Sequence, residues 1–239
     1  MSRTFLQLCQ DVVSDLGIAG GTLGSTIGSL NQEQVRICNW VARADLYIQN
    51  LWTDWKFLWF QDGTVTCAAG TNQLVTNPPT WAQDIQNYDN TSLWINPGAA
   101  NAQKIRWMPW EQFRRAYQMM PPQASALVPT AWSYDPAGNL WLSQNMLALT
   151  TFSLEYWCIG QRMVNDQSVS PIPSNFDTII CERAKIIYGG RENAPEILTS
   201  ASAEYVDQLD KMQAYCLPDN TAGRTSQNNR TTTPAAYVE

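Results

Sequence analysis

Residues 30–60, LNQEQVRICNWVARADLYIQNLWTDWKFLWF, decide how the rest of the chain is read. Ile37, Val41, Ala44, Ile48, Leu51 and Trp55 recur at alternating steps of four and three, which predicts one long helix with a single apolar stripe. Ser29 or Asn31 can cap its start by accepting from a free first-turn N–H. The helical period fails after Lys56, and the aromatic run followed by Asp62-Gly63 reads as a strand and turn. Trp52, Trp55 and Phe57 are therefore expected to form the core of a hinge between helical and extended structure.

Further helices lie on both sides of this stretch. Phe5, Leu8, Cys9, Val12 and Leu16 share one face of a helix over 4–16, with Thr4 as its cap and Gly17 as its stop. A Gly/Ser-rich linker follows. Its GGTLGST run lacks the lysine and the preceding strand of a phosphate loop. Near the other end, Ser174 with Asp177 three residues on predicts the start of a helix over 174–190, stopped by Gly189-Gly190. Ala194-Pro195 opens a last helix, with Ala201, Tyr205, Leu209 and Met212 on its stripe.

Between about 57 and 170 the period changes to two. Residues 64–67 and 73–75 read as strands around AAGTN, and 92–95 and 104–107 as a second pair. Pro109 opens a short helix. The turn DPAGN joins 130–134 to 140–142 as a hairpin, and Phe152, Leu154, Tyr156 and Cys158 share one face of a strand. Five to seven strands are expected here. The fold expected from the pattern is α+β: a four-helix bundle drawn from both chain ends (1–56 and 172–217), a β-rich insertion (57–171) and an extended C-terminal arm (218–239). The arm is polar and lacks periodicity, so it is expected to order only on a partner.

Composition narrows the function classes. Apolar residues make up 44% of the 239, charged residues only 15%, and there are 11 tryptophans. A sparsely charged, Trp-rich chain leaves aromatic surface for partners, with a Trp-heavy core as the alternative. The net charge of −6 argues against tight nucleic-acid binding. No apolar run is long enough to span a membrane, and no export signal is visible, so synthesis in the cytosol is expected. The six cysteines are widely spaced, which fits reduced, buried thiols rather than a disulfide framework.

No histidine is present, which removes Cys–His and Ser–His catalysis and the commonest transition-metal ligand. Asp84, Asp89 and Glu155 could in principle form a glycosidase pair, but read more simply as loop and surface residues. Asp45, beside Arg43, reads as a solvated or subunit-contacting charge. Trp94, Trp107 and Trp141 could stack on sugar rings, which makes a glycan-binding module the alternative function. No catalytic, cofactor or metal site is expected, and the chain reads as a non-enzyme.

RICNWVARADLYIQNLWTDWKFLWF resembles the signature of tailed-bacteriophage head-to-tail adaptor (connector) proteins, through Ile37, Trp40, Val41, Ala44, Ile48, Gln49, Trp55, Phe57 and Leu58. Residues 4–9 and 15–18 are similar to the family's first helix. Val128 to Tyr134 with Leu140 to Leu142 resembles its hairpin, and Ile172, Pro173, Phe176, Ile179, Ile180 and Ala184 resemble the opening of its third bundle helix. Ser143 to Met146 depart from the family's Pro-rich turn. The resemblance implies a virion structural protein at the head–tail interface. It would form a homo-oligomeric ring, usually of twelve copies, between the portal and the tail or nozzle proteins. DNA would pass non-specifically through the lumen during genome ejection, and no membrane is implied. On this reading the arm, with Arg224, Arg230, Tyr237 and Val238, would contact the portal or a neighbouring subunit.

Overall fold

The computed structural model describes residues 2–17, 32–75, 82–96, 98–100, 102–119 and 125–217. The expected caps Ser29 and Asn31, and the arm 218–239 with Arg224, Arg230, Tyr237 and Val238, lie outside the described residues.

Helix α1 (Phe5–Asp15) starts as its sequence predicts: the Thr4 hydroxyl accepts from the Gln7 N–H while the Gln7 side chain accepts from the Thr4 N–H, a reciprocal capping box. Its buried face is Phe5, Leu8, Cys9, Val12 and Val13. Helix α2 (Gln32–Gln49) ends short of the expected Lys56. The stripe beyond it, Leu51 and Trp55, still packs inward, because a 3-10 turn over Lys56–Leu58 folds those residues back.

Strands β1 (Trp59–Cys67), β2 (Gln73–Val75), β3 (Ala82–Tyr88), β4 (Trp94–Ile95), β5 (Gln103–Lys104) and β6 (Arg106–Trp107) follow. A short helix, α3 (Trp110–Phe113), continues as a wider π-type turn through Gln118. Then come β7 (Ala131–Tyr134), β8 (Leu140–Leu142) and the eleven-residue β9 (Thr150–Gly160). They form one nine-stranded sheet in the order β5-β4-β9-β1-β2-β8-β7-β6, with β3 also on β9. Pairing is antiparallel except for β6 with β7, and the mixed sheet curls into a nearly closed barrel. Strand β9 alternates as expected, with Phe152, Leu154, Tyr156 and Cys158 turned inward. Asp62-Gly63 is no turn. The β1–β9 register slips between Phe60 and Gly63, and a Cβ on Gly63 would lie 2.5 Å from the Tyr156 ring. This bulge bends β1 across its partner.

After β9 the chain returns to the helices. The segment 163–172 pairs with the N-terminus, Phe5 N–H donating to the Ser168 carbonyl at 2.7 Å. Helices α4 (Thr178–Arg191) and α5 (Pro195–Cys216) complete the described chain. Two differences from expectation have clear causes. Ser174 does not cap α4, which begins only at Thr178 with no side-chain cap, because the Asp177 carboxylate is held by Arg3 instead. Gly189-Gly190 does not stop α4. A Cβ at Gly189 would lie 2.9 Å from the Leu198 nitrogen, so this glycine lets α5 turn back closely against α4.

The expected four-helix bundle with a β-rich insertion is not what the chain builds. Among the described residues the dominant element is the nine-stranded, nearly closed sheet with its own core, centred on Trp132, Leu142, Phe152, Leu154 and Tyr156, and five helices accompany it. The helices do not close a bundle by themselves: their apolar faces also cover Trp55, Leu58, Met163 and Ile172 from the segments flanking the sheet. Strands read singly as short hairpins are chained through β9 and β1 into a single surface, an arrangement that depends on long-range register.

Candidate functional site

The junction between α2 and the sheet is built around Trp55, which is fully buried. Its ring meets Trp52 edge-on at 5.0 Å and stacks on Phe57 at 5.1 Å. Trp52 and Phe57 are partly buried against the same core, so the structure gathers all three expected hinge residues.

One turn of α2 away lies a polar cluster. Asp45 is fully buried rather than solvated; it accepts from Ser170 Oγ at 2.5 Å and from Gln49 Nε2 at 2.8 Å. Burial pushes its carboxyl up to about 6, against the two hydrogen bonds, which favour the charged form. The amide oxygen of Gln49 has no donor among the described residues and sits over Gly160, where a Cβ would collide with it. The cluster therefore ties the end of α2 to the end of β9 and to the returning segment.

Of the carboxylates considered for acid–base chemistry, Asp89 has a local duty. Asp89 accepts from the Thr91 N–H at 2.7 Å and from its hydroxyl at 2.9 Å, closing the turn before β4. Glu155 lies alongside, its carbonyl accepting from the Asp89 N–H at 3.0 Å. The Asp84 side chain is outside the described residues. Of the tryptophans considered for sugar stacking, Trp94 on β4 is exposed, while Trp107 on β6 and Trp141 on β8 are half-buried. The Trp141 Nε1 is already committed to Asp135 at 3.2 Å. Among the described residues no group of three His, Cys, Asp or Glu is placed to hold a metal ion, and no helix is long and apolar enough to cross a membrane.

Two features that the sequence reading missed stand out on the surface. Leu127, Leu147 and Leu149 are 69%, 56% and 72% exposed, and the bridge between Ala126 and Met146 sets the first two side by side at one end of the sheet. On the helical side, the Arg183 guanidinium of α4 lies 4.2 Å from the ring centre of Tyr47 (α2) and 5.7 Å from that of Tyr205 (α5). Nothing local in the sequence joins these residues. The one available signal was their phase, since Tyr47 falls on the polar side of α2 and Tyr205 on the apolar side of α5.

No model of a known protein family matches this chain, and no characterised protein sequence does.

Proposed function

We propose that this chain is a structural head-to-tail adaptor of a tailed phage, assembling as a ring beneath the portal, joining it to the tail and letting DNA pass through the lumen. The observation that carries this reading is the ordered series of adaptor-like motifs spanning most of residues 4–217, above all the run from Ile37 to Leu58. In the fold that run leads from α2 through the buried Trp55 directly into the sheet.

The surfaces support assembly as the chain's task. The exposed Leu127 and Leu147, side by side at the sheet end, are apolar surface of the kind that marks protein contacts. On this reading the sheet end faces the tail proteins and the arm 218–239 reaches the portal or a neighbouring copy. The acidic balance, −6 overall, suits a lumen along which DNA slides without sticking.

The test is negative-stain imaging of the full chain, alone and mixed with the portal protein of the same virion. Rings with a central hole, seated on the portal, are the expected result, and removal of 218–239 should leave a folded chain that joins the portal poorly. A chain that remains monomeric in the presence of portal overturns the proposal.

A further inference from the structure

We propose that the arginine-bearing face of α2 and α4 is one half of a contact between copies of this chain, and that its occupant is the carboxylate face of α5 of the next copy. This rests on the ring reading above and names the surfaces that would meet.

The receiving half is rich in donors. Arg183 makes no ion pair among the described residues, and its Nε–H is buried without an acceptor. The Tyr205 hydroxyl, on a side chain that is 5% exposed, likewise has no hydrogen-bond partner among the described residues and lies near enough to Arg183 and Tyr47 to sense both electrostatically. Both atoms are shut inside the folded chain, so what the half-buried Arg183 offers an incoming carboxylate is its uncompensated positive charge. Beside them Arg43 is exposed without an ion pair among the described residues, and Arg162 meets only the amide oxygen of Asn39, at 2.7 Å. Arg36 alone meets a carboxylate, Glu192 at 2.5 Å. The one exposed carboxylate on α2 itself is Glu33, in the first turn.

The complementary half is on the same chain. Helix α5 buries Ala201, Tyr205, Leu209, Met212 and Cys216 against α4. Its opposite side carries Glu196, Glu204, Asp207 and Asp210, all exposed, with Lys211 as the one cation, paired to Asp207 at 2.6 Å. Tyr47, 40% exposed, and Val206, 46% exposed, add apolar contact to the two halves. Arginine suits the task because its planar fork matches a carboxylate and is weakly hydrated. A contact joining two different faces repeats head to tail, and closes into a ring when its rotation permits. Nucleic acid is the less fitting occupant, because a chain of net charge −6 repels a phosphate backbone along its whole length, whereas the α5 carboxylates of another copy form one local patch.

The experiment is sedimentation velocity on the full chain, with Arg43→Glu, with Glu204→Arg plus Asp210→Arg, with all three changes together, and with the two reversed chains mixed. All three sites are exposed and free of ion pairs among the described residues, and thermal melts check that the fold is retained. Wild type should self-associate at low salt and weaken as screening rises; each reversal alone should weaken association about tenfold or more. The triple variant and the mixture should both recover it, because each restores opposite charges across the contact.

Association that is indifferent to every reversal overturns the proposal, and if rings are still seen the ring reading survives it. A wild-type chain that stays monomeric at low salt and high concentration also overturns it. Loss of DNA retention by Arg43→Glu with association unchanged would assign the face to nucleic acid and overturn it too. Charge-dependent association that stops at dimers upholds the contact and removes the ring.

Discussion

The Trp55 indole N–H donates to the Ile48 carbonyl at 3.1 Å, so a residue beyond the end of α2 closes back on its last turn. This bond is the second at that carbonyl, which also accepts from the Leu51 N–H at 3.2 Å in the turn that ends the helix. It also fixes the angle at which the chain leaves the helices and enters β1.

Trp55→Ala should cost roughly 3–5 kcal/mol, the usual range for emptying a fully buried aromatic site. Trp55→Phe should recover much of that, losing one hydrogen bond at a cost of about 0.5–1.5 kcal/mol, because the Leu51 N–H still serves the Ile48 carbonyl. Urea unfolding of both variants checks this. Wild-type stability in the alanine variant would remove Trp55 from its role at the junction.

The Asp45 carboxyl makes stability depend on pH in a definite direction. Its folded value, about 6, lies above the ordinary aspartate value of 3.8, so between these pH values the folded chain keeps a proton that the unfolded chain has released. The stability this contributes is complete below about 4 and is lost as pH rises through 6, by about 3 kcal/mol at most. Asp45→Asn cannot ionise. Melting temperatures of the two proteins from pH 4 to 8 should show wild type falling relative to the variant as pH rises, and parallel curves would contradict the assignment.

Adjacent glycines in α4 should respond with opposite signs. Gly189→Ala places a methyl against the backbone of Leu198 and should cost about 1–3 kcal/mol. Gly190 has open space around its missing Cβ, and Gly190→Ala should stabilise by up to about 1 kcal/mol through helix propensity. Chemical denaturation of the two variants distinguishes a close approach of α4 and α5 from a helix stop. Equal effects would restore the stop.

All six cysteines are buried thiols. Burial pushes the Cys181 thiol up to about 12 and the Cys216 thiol up to about 11, so neither forms much thiolate near neutral pH. A disulfide reagent such as DTNB at pH 8 should label the native chain slowly and titrate all six thiols once denaturant is added. Rapid labelling of the native protein would contradict the core described for α1, α4 and α5.

Elements governed by neighbours in sequence were legible. Thr4 and Gln7 form the capping box because both lie within one turn. The hairpin of β7 and β8 follows from Asp135, whose carboxylate accepts from the N–H groups of Ala137 and Asn139, each at 2.9 Å. The gathering of Trp52, Trp55 and Phe57 was also legible, because an aromatic run at the end of an apolar stripe has few other ways to be buried. Strand β3 was missed; its register with β9 slips twice, so alternation along Ala82–Tyr88 does not mark it.

Elements governed by distant partners were not legible. Asp177 reads as a capping residue, yet Arg3 takes its carboxylate at 2.6 Å from 174 positions away. Asp45 reads as a surface charge beside Arg43, yet Ser170 meets it from the other end of the chain.

The sequence by itself determined the helices, most of the strands and their buried faces, because caps, turns and periodicity act within a few residues. Only the tertiary structure decided that the strands join into one nearly closed sheet rather than an appendage to a bundle, because β9 and β1 pair residues 83 to 98 positions apart. It also decided which charges are buried and which are left for a partner. Burial depends on what the rest of the chain brings to a site, and no local pattern records that.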